Sequence, residues 1–182
     1  MRIITIIGLA SILFCSVIVA QVKDLPNLKV GDIAPDFALP YATKDSIGSY
    51  DIRLSSIIGE KNIVLAFYPA DWSGGCTREV CKLRDNFADL SKLNADIIGI
   101  SGDYSYSHHE WAKHHNLPFI LASDHKHEIA SMFSSYNETT GYNKRTVYVI
   151  DKKGVIAYID LMYTTKDSTS FNKLHDALKE LQ

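Results

Sequence analysis

The stretch Pro69 to Cys81, "PADWSGGCTREVC", decides the reading of this chain, and it follows the run "KNIVLAFY", Lys61 to Tyr68. That run is continuous, apolar and β-rich, the pattern of a strand buried on both faces. Pro69 ends it, because proline has no N–H to give to a ladder. Ser73 is a good helix N-cap. From Cys76 onward, Val80, Leu83, Phe87 and Leu90 recur at helical spacing. A strand therefore hands over to a helix, with Cys76 in the first turn. Free backbone N–H groups and the positive end of the helix dipole lie there. Both favour a thiolate over a thiol. Cys76 also shares the apolar face and should point inward.

Cys81 lies elsewhere on that helix. Five residues give a rise of about 7.5 Å and a rotation of about 140°, so the two Cα atoms sit roughly 8–9 Å apart. A disulfide needs Cα atoms within about 7 Å. An intact helix cannot hold this bond, and its formation requires the first turns to unwind. A structural staple is one reading of the pair. A pair that cycles between two conformations suits the spacing better, and Gly74 and Gly75 would ease the unwinding.

Working outward, "PDFAL" and "YDIRL" read as short strands and "ADIIGIS", Ala95 to Ser101, as a second buried strand. "SYSHHEWAKHHN" reads as a helix, "PFILASD" as a short extended segment, and Lys126 to Phe133 as a short helix. "RTVYVID", "KKG" and "VIAYID" form a β-hairpin. Ser168 to Leu181 is an amphipathic helix, with Phe171, Leu174, Leu178 and Leu181 on one stripe. This order predicts an α/β fold, a central mixed β-sheet flanked by helices, and the thioredoxin-like fold fits it. No linker interrupts the chain after residue 35, so residues 21–182 read as one domain.

With 182 residues, 46% hydrophobic and 22% charged, the chain is long enough for a sizeable core. The net charge of −2 gives no argument for nucleic acid or an anionic membrane surface. The N-terminus, "MRIITIIGLASILFCSVIVAQ", has one Arg and then an uncharged apolar run. Residues 1–20 read as a cleaved secretory signal, with an uncleaved anchor as the alternative. Either places the domain outside the cytoplasm, secreted or periplasmic, where disulfides are permitted. Removing the signal takes Cys15 with it and leaves Cys76 and Cys81.

"PADWSGGC" resembles the Pro-x-x-x-Thr/Ser-x-x-Cys signature of peroxiredoxins, and "CTREVCKLRD" resembles their Q-type branch, in which a second cysteine often follows five residues later. "GDIAPDFAL", "IIGISGD", "LPFILASD" and "RTVYVIDKKGVI" agree in the same order, so the resemblance runs from about Val30 to Leu181. It implies a thiol-dependent peroxidase acting on hydrogen peroxide and organic hydroperoxides, with no cofactor or metal. Cys76 would be the peroxidatic nucleophile and Cys81 the resolving cysteine. Arg145 would stabilise the thiolate and the charge on the departing oxygen. Ser73 would offer a hydroxyl, Pro69 would shield the thiolate from water, and Glu79 would orient the arginines. A thioredoxin-like dithiol would reduce the disulfide, and the protein would be a monomer, with a dimer as the alternative. Most relatives have Thr-Pro-Gly-Cys where this chain has Ser73-Gly74-Gly75-Cys76, which should loosen the first turn.

Two other functions compete. "WSGGC" looks like the Trp-Cys-Gly-Pro-Cys of thiol–disulfide oxidoreductases with the first cysteine replaced, and Ser73 cannot serve as that nucleophile. A redox or metal sensor would need a further ligand beside Cys76 and Cys81. His108, His109, His114, His115, His125 and His127 fit no familiar zinc spacing and read as solvated surface. Cys81 itself is read either as resolving or as a free, buried cysteine, and Trp72 as packing over the site.

Overall fold

The computed structural model describes residues 27–182. The signal reading of residues 1–20 lies outside the described residues. Among the described residues no helix is long and apolar enough to cross a membrane.

The sheet is built from Tyr41–Ala42 (β1), Asn62–Phe67 (β2), Ala95–Ser101 (β3), Ile120–Ser123 (β4), Thr146–Ile150 (β5) and Ile156–Asp160 (β6). Besides a single helical turn at Leu54–Ile57, the helices are Gly74–Asp85 (α1), Phe87–Lys92 (α2), Ser105–His115 (α3), Glu128–Met132 (α4) and Thr169–Lys179 (α5). The strand order is β6-β5-β2-β3-β4-β1. The β2–β3 and β3–β4 pairs are parallel, while β5 runs antiparallel to β2. Each parallel pair is joined by a helical crossover, as parallel pairing requires. This is the expected mixed sheet flanked by helices.

Every residue of β2 is buried, because both of its faces are covered. Period-two alternation sorts its side chains. Val64 and Ala66 pack with Val80, Leu83, Trp111 and Leu174 on the side of the longer helices. Ile63, Leu65 and Phe67 pack with Phe37, Leu54 and Phe133 on the other side. Each buried aliphatic side chain contributes about 1.5–3 kcal/mol relative to exposure. The β5–β6 hairpin turns at Gly154, whose φ of 81° is the left-handed region that glycine enters freely. The Asp151 carboxylate accepts from Lys153 N and Val155 N at 2.8 and 2.9 Å and closes that turn.

One expectation needs correction here. The apolar pattern from Cys76 to Leu90 is not one helix. It breaks at Asn86, whose side-chain amide donates to the Lys82 carbonyl at 2.8 Å. That side chain competes with the helix backbone for its own acceptor, and the chain restarts as α2.

Candidate active site

Ser73 caps α1 as expected, its Oγ accepting from Cys76 N at 3.4 Å. Cys76 therefore sits in the first turn, fully buried on the face shared with Val80 and Leu83. In the β2–β5 register Phe67 lies beside Thr146, so the residue preceding β5 lies next to the chain leaving β2. That residue is Arg145. Its Nη2 donates to Cys76 Sγ at 3.4 Å, and its Nη1 donates to Glu79. A Cβ at position 75 would stand 3.1 Å from Arg145 Nη2, so Gly75 leaves the guanidinium room to reach the sulfur. Pro69 follows β2, half-buried, and lines a shallow pocket with Asp103, His125 and His127. Arg145 also lines an open cleft of about 580 Å³, with Gly75, Arg78, Lys144 and Lys166 on its walls.

Glu79 lies one turn beyond Cys76, on the same face. Its side chain is fully buried, and Oε1 has no hydrogen-bond partner among the described residues. Burial, the largest influence, pushes its carboxyl up to about 7 against the pull of Arg145. Burial opposes the charge of Arg145, but Glu79 and Cys76 more than offset this and its pKa is raised. Glu79 keeps its proton to a higher pH when folded than when unfolded. Its contribution to stability is therefore fully present below the ordinary carboxyl value of 4.5 and is lost as pH rises to about 7. The loss is about 3 kcal/mol, at 1.36 kcal/mol per pKa unit. Urea midpoints measured from pH 4.5 to 7.5 should fall more steeply in the parent than in Glu79→Gln; parallel profiles would contradict this.

The loop between β2 and α1 is held by a network that sequence reasoning missed. Asp71 and His108 have fully buried side chains, with His108 Nδ1 2.9 Å from Asp71 Oδ2. Tyr68 and Ser107 donate to the same carboxylate at 2.9 and 2.7 Å. Asp71 N donates to Asp103 at 2.8 Å. These contacts brace Trp72, which adopts φ 60°, a costly conformation for a bulky residue. The reading of all six histidines as solvated surface is thus corrected for His108. It lies on the inward stripe of α3 with Trp111 and Ala112, and its Nε2 reaches the Ala122 carbonyl at 3.2 Å. Burial is tolerated because both ring nitrogens have partners. That inward spacing was the available signal. Trp72 is also corrected: it is 55% exposed, with its ring against His114 and His115 rather than over Cys76.

Cys81 is free and half-buried in the same unbroken helix as Cys76. Gly74 is the first residue of α1, a position proline favours, and an added Cβ would meet only Arg78 Nη1 at 3.9 Å. Gly74→Pro should therefore stiffen the first turn without strain and slow Cys76–Cys81 bond formation severalfold after peroxide treatment, read by rapid-quench mass analysis. An unchanged rate would contradict it. Among the described residues no three His, Cys, Asp or Glu side chains converge as a metal site.

A mixed sheet flanked by helices, with a buried cysteine at a helix start facing an arginine, places the chain on the thioredoxin-like fold. Residues 30–159 match the AhpC/TSA family, and the chain belongs to it. Its relatives include peroxiredoxins of the Q and Bcp type. Peroxiredoxin Q, chloroplastic, of Triticum aestivum is 41% identical over 130 residues, covering 71% of this chain and 57% of that protein. Peroxiredoxin Bcp of Bacillus subtilis is 37% identical over 134 residues, 70% of this chain and 82% of that protein. The crystal structure of peroxidoxin BcpB from Mycobacterium tuberculosis superposes with a TM-score of 0.75 at 28% identity, covering 85% of this chain and 99% of that one. The chain spans less than two thirds of the length of the chloroplastic peroxiredoxin Q proteins of Triticum aestivum and Sedum lineare. These relatives also correct the expected secreted or periplasmic location. The wheat and Sedum lineare proteins are chloroplastic by name, so kinship gives no support to export.

Proposed function

We propose that the protein is a thiol-dependent peroxidase folded as a single domain, with Cys76 as its peroxidatic cysteine. The observation that carries this is the Arg145 guanidinium, held between Glu79 and Cys76 Sγ. A fixed cation at the sulfur favours the thiolate, the species that attacks peroxide. The thiolate attacks one oxygen of a hydroperoxide, and the O–O bond breaks. Cys76 becomes a sulfenic acid, and the departing alkoxide or hydroxide takes a proton from solvent, replacing the one the thiol gave up on ionising. Arg145, placed beforehand, stabilises the charge that builds on that oxygen. Ser73 accepts from Cys76 N, which leaves its hydroxyl hydrogen free to donate toward the reacting atoms. Pro69 limits water beside the sulfur.

Cys81 then condenses with the sulfenic acid, forming the disulfide and releasing water. A thioredoxin-like dithiol returns both cysteines to thiols. The intact helix holds the pair too far apart for this bond, so α1 must open at Gly74 and Gly75 in every cycle. The unit acts as a monomer, since both cysteines and the arginine come from one chain. Consumption of hydrogen peroxide and of an organic hydroperoxide, coupled to a thioredoxin system, tests the reading. Turnover that persists without Cys76 would overturn it.

A further inference from the structure

Cys81 does not face solvent alone. Its Sγ lies 3.8 Å from His115 Nδ1, on the last turn of α3. Arg84 donates to the His115 carbonyl at 2.7 Å and ties this part of α1 to α3. The His115 ring is further fixed by Trp111 and His114, at centroid distances of 5.8 and 4.7 Å. We propose that His115 is the general base for Cys81, taking the thiol proton as the sulfur attacks the Cys76 sulfenic acid. This rests on the resolving role proposed for Cys81.

The neighbours of His115 suit that task. Burial, then His114 of its own helix, then Arg84 of α1 lower its pKa from 6.5. Asp85 pairs with Arg84 at 2.7 Å and moderates that charge. The imidazole is neutral at pH 7, and the tautomer with its proton on Nε2 leaves Nδ1 as an acceptor for the thiol. The contact also says which end of α1 moves. Gly74 and Gly75 precede Cys76, whereas Cys81 lies in the part braced by Arg84. Opening the first turn carries Cys76 toward a Cys81 that stays beside its base.

The step balances. The Cys81 thiol loses its proton to Nδ1 as the sulfur–sulfur bond forms. The S–O bond of the sulfenic acid breaks, and the departing hydroxide recovers that proton as water. No outside oxidant or reductant is needed. The thiolate and not the thiol is the attacking species, so a base beside the thiol accelerates attack.

The test follows disulfide formation after one equivalent of hydrogen peroxide, by rapid quench and mass analysis from pH 5.5 to 9. The parent should resolve at a rate that falls only below the lowered pKa of His115. His115→Gln should be about 10-fold slower at pH 7 and should climb with pH as hydroxide takes over the missing base's task. The slowing falls on disulfide formation, not on sulfenic acid formation. Added imidazole should restore resolution to His115→Ala, which a merely structural role would not permit. A Gln variant matching the parent in rate and pH profile overturns the proposal while Cys81 keeps its role. If the parent never forms the Cys76–Cys81 bond, the role of Cys81 falls and takes this proposal with it.

Discussion

Cys76→Ser removes hydroperoxide reduction, with a rate loss of about 10³-fold or more, the scale on which enzymes lose activity with their nucleophile. The argument is chemical rather than steric. Serine fills nearly the same space in the buried first turn of α1. Its hydroxyl does not ionise near neutral pH and has no oxidised state equivalent to a sulfenic acid. The buried Oγ can still accept from Arg145, so the fold survives at a cost of about 1 kcal/mol, the scale of one hydrogen bond. Peroxide consumption read beside a thermal melt separates the two effects. A variant that melts like the parent and still turns over would remove Cys76 from the chemistry.

Arg145→Met is expected to slow sulfenic acid formation by about 10²–10³-fold, the loss seen when one preorganised donor is removed from a developing oxyanion. Methionine keeps much of the stem and loses only the fork. Two things go with that fork: the donor 3.4 Å from Cys76 Sγ and the partner of buried Glu79. Glu79 then keeps its proton to still higher pH, since the arginine no longer opposes burial. Arg145→Lys should recover only part of the rate, because a point charge cannot address Glu79 and the sulfur together as a planar fork does. Stopped-flow oxidation of each reduced variant checks this. Equal rates for parent, Lys and Met would show that the guanidinium is incidental.

The legible parts of the fold were those that local pattern controls. The Lys61–Tyr68 run was visible as a strand because both of its faces are covered, which makes every position apolar. The cap at Ser73 and the placing of Cys76 follow from chemistry within three residues. Arg145 was reachable only through the family resemblance, since 69 residues separate it from the sulfur it touches. The Asp71–His108 pair joins two elements 37 residues apart, and nothing near either residue announces the other. The break at Asn86 was hidden because apolar spacing continues across it while the backbone does not. His115 looked like one of many surface histidines. Its position opposite Cys81 exists only once α1 and α3 pack on the same face of the sheet.

The most direct test of the account mixes the reduced protein with one equivalent of hydrogen peroxide, quenches rapidly and maps both cysteines by peptide mass, with Cys81→Ser alongside. The account predicts fast formation of a Cys76–Cys81 disulfide in the parent and a sulfenic acid at Cys76 in the variant. Cys76 oxidising no faster than a free cysteine in solution would contradict it.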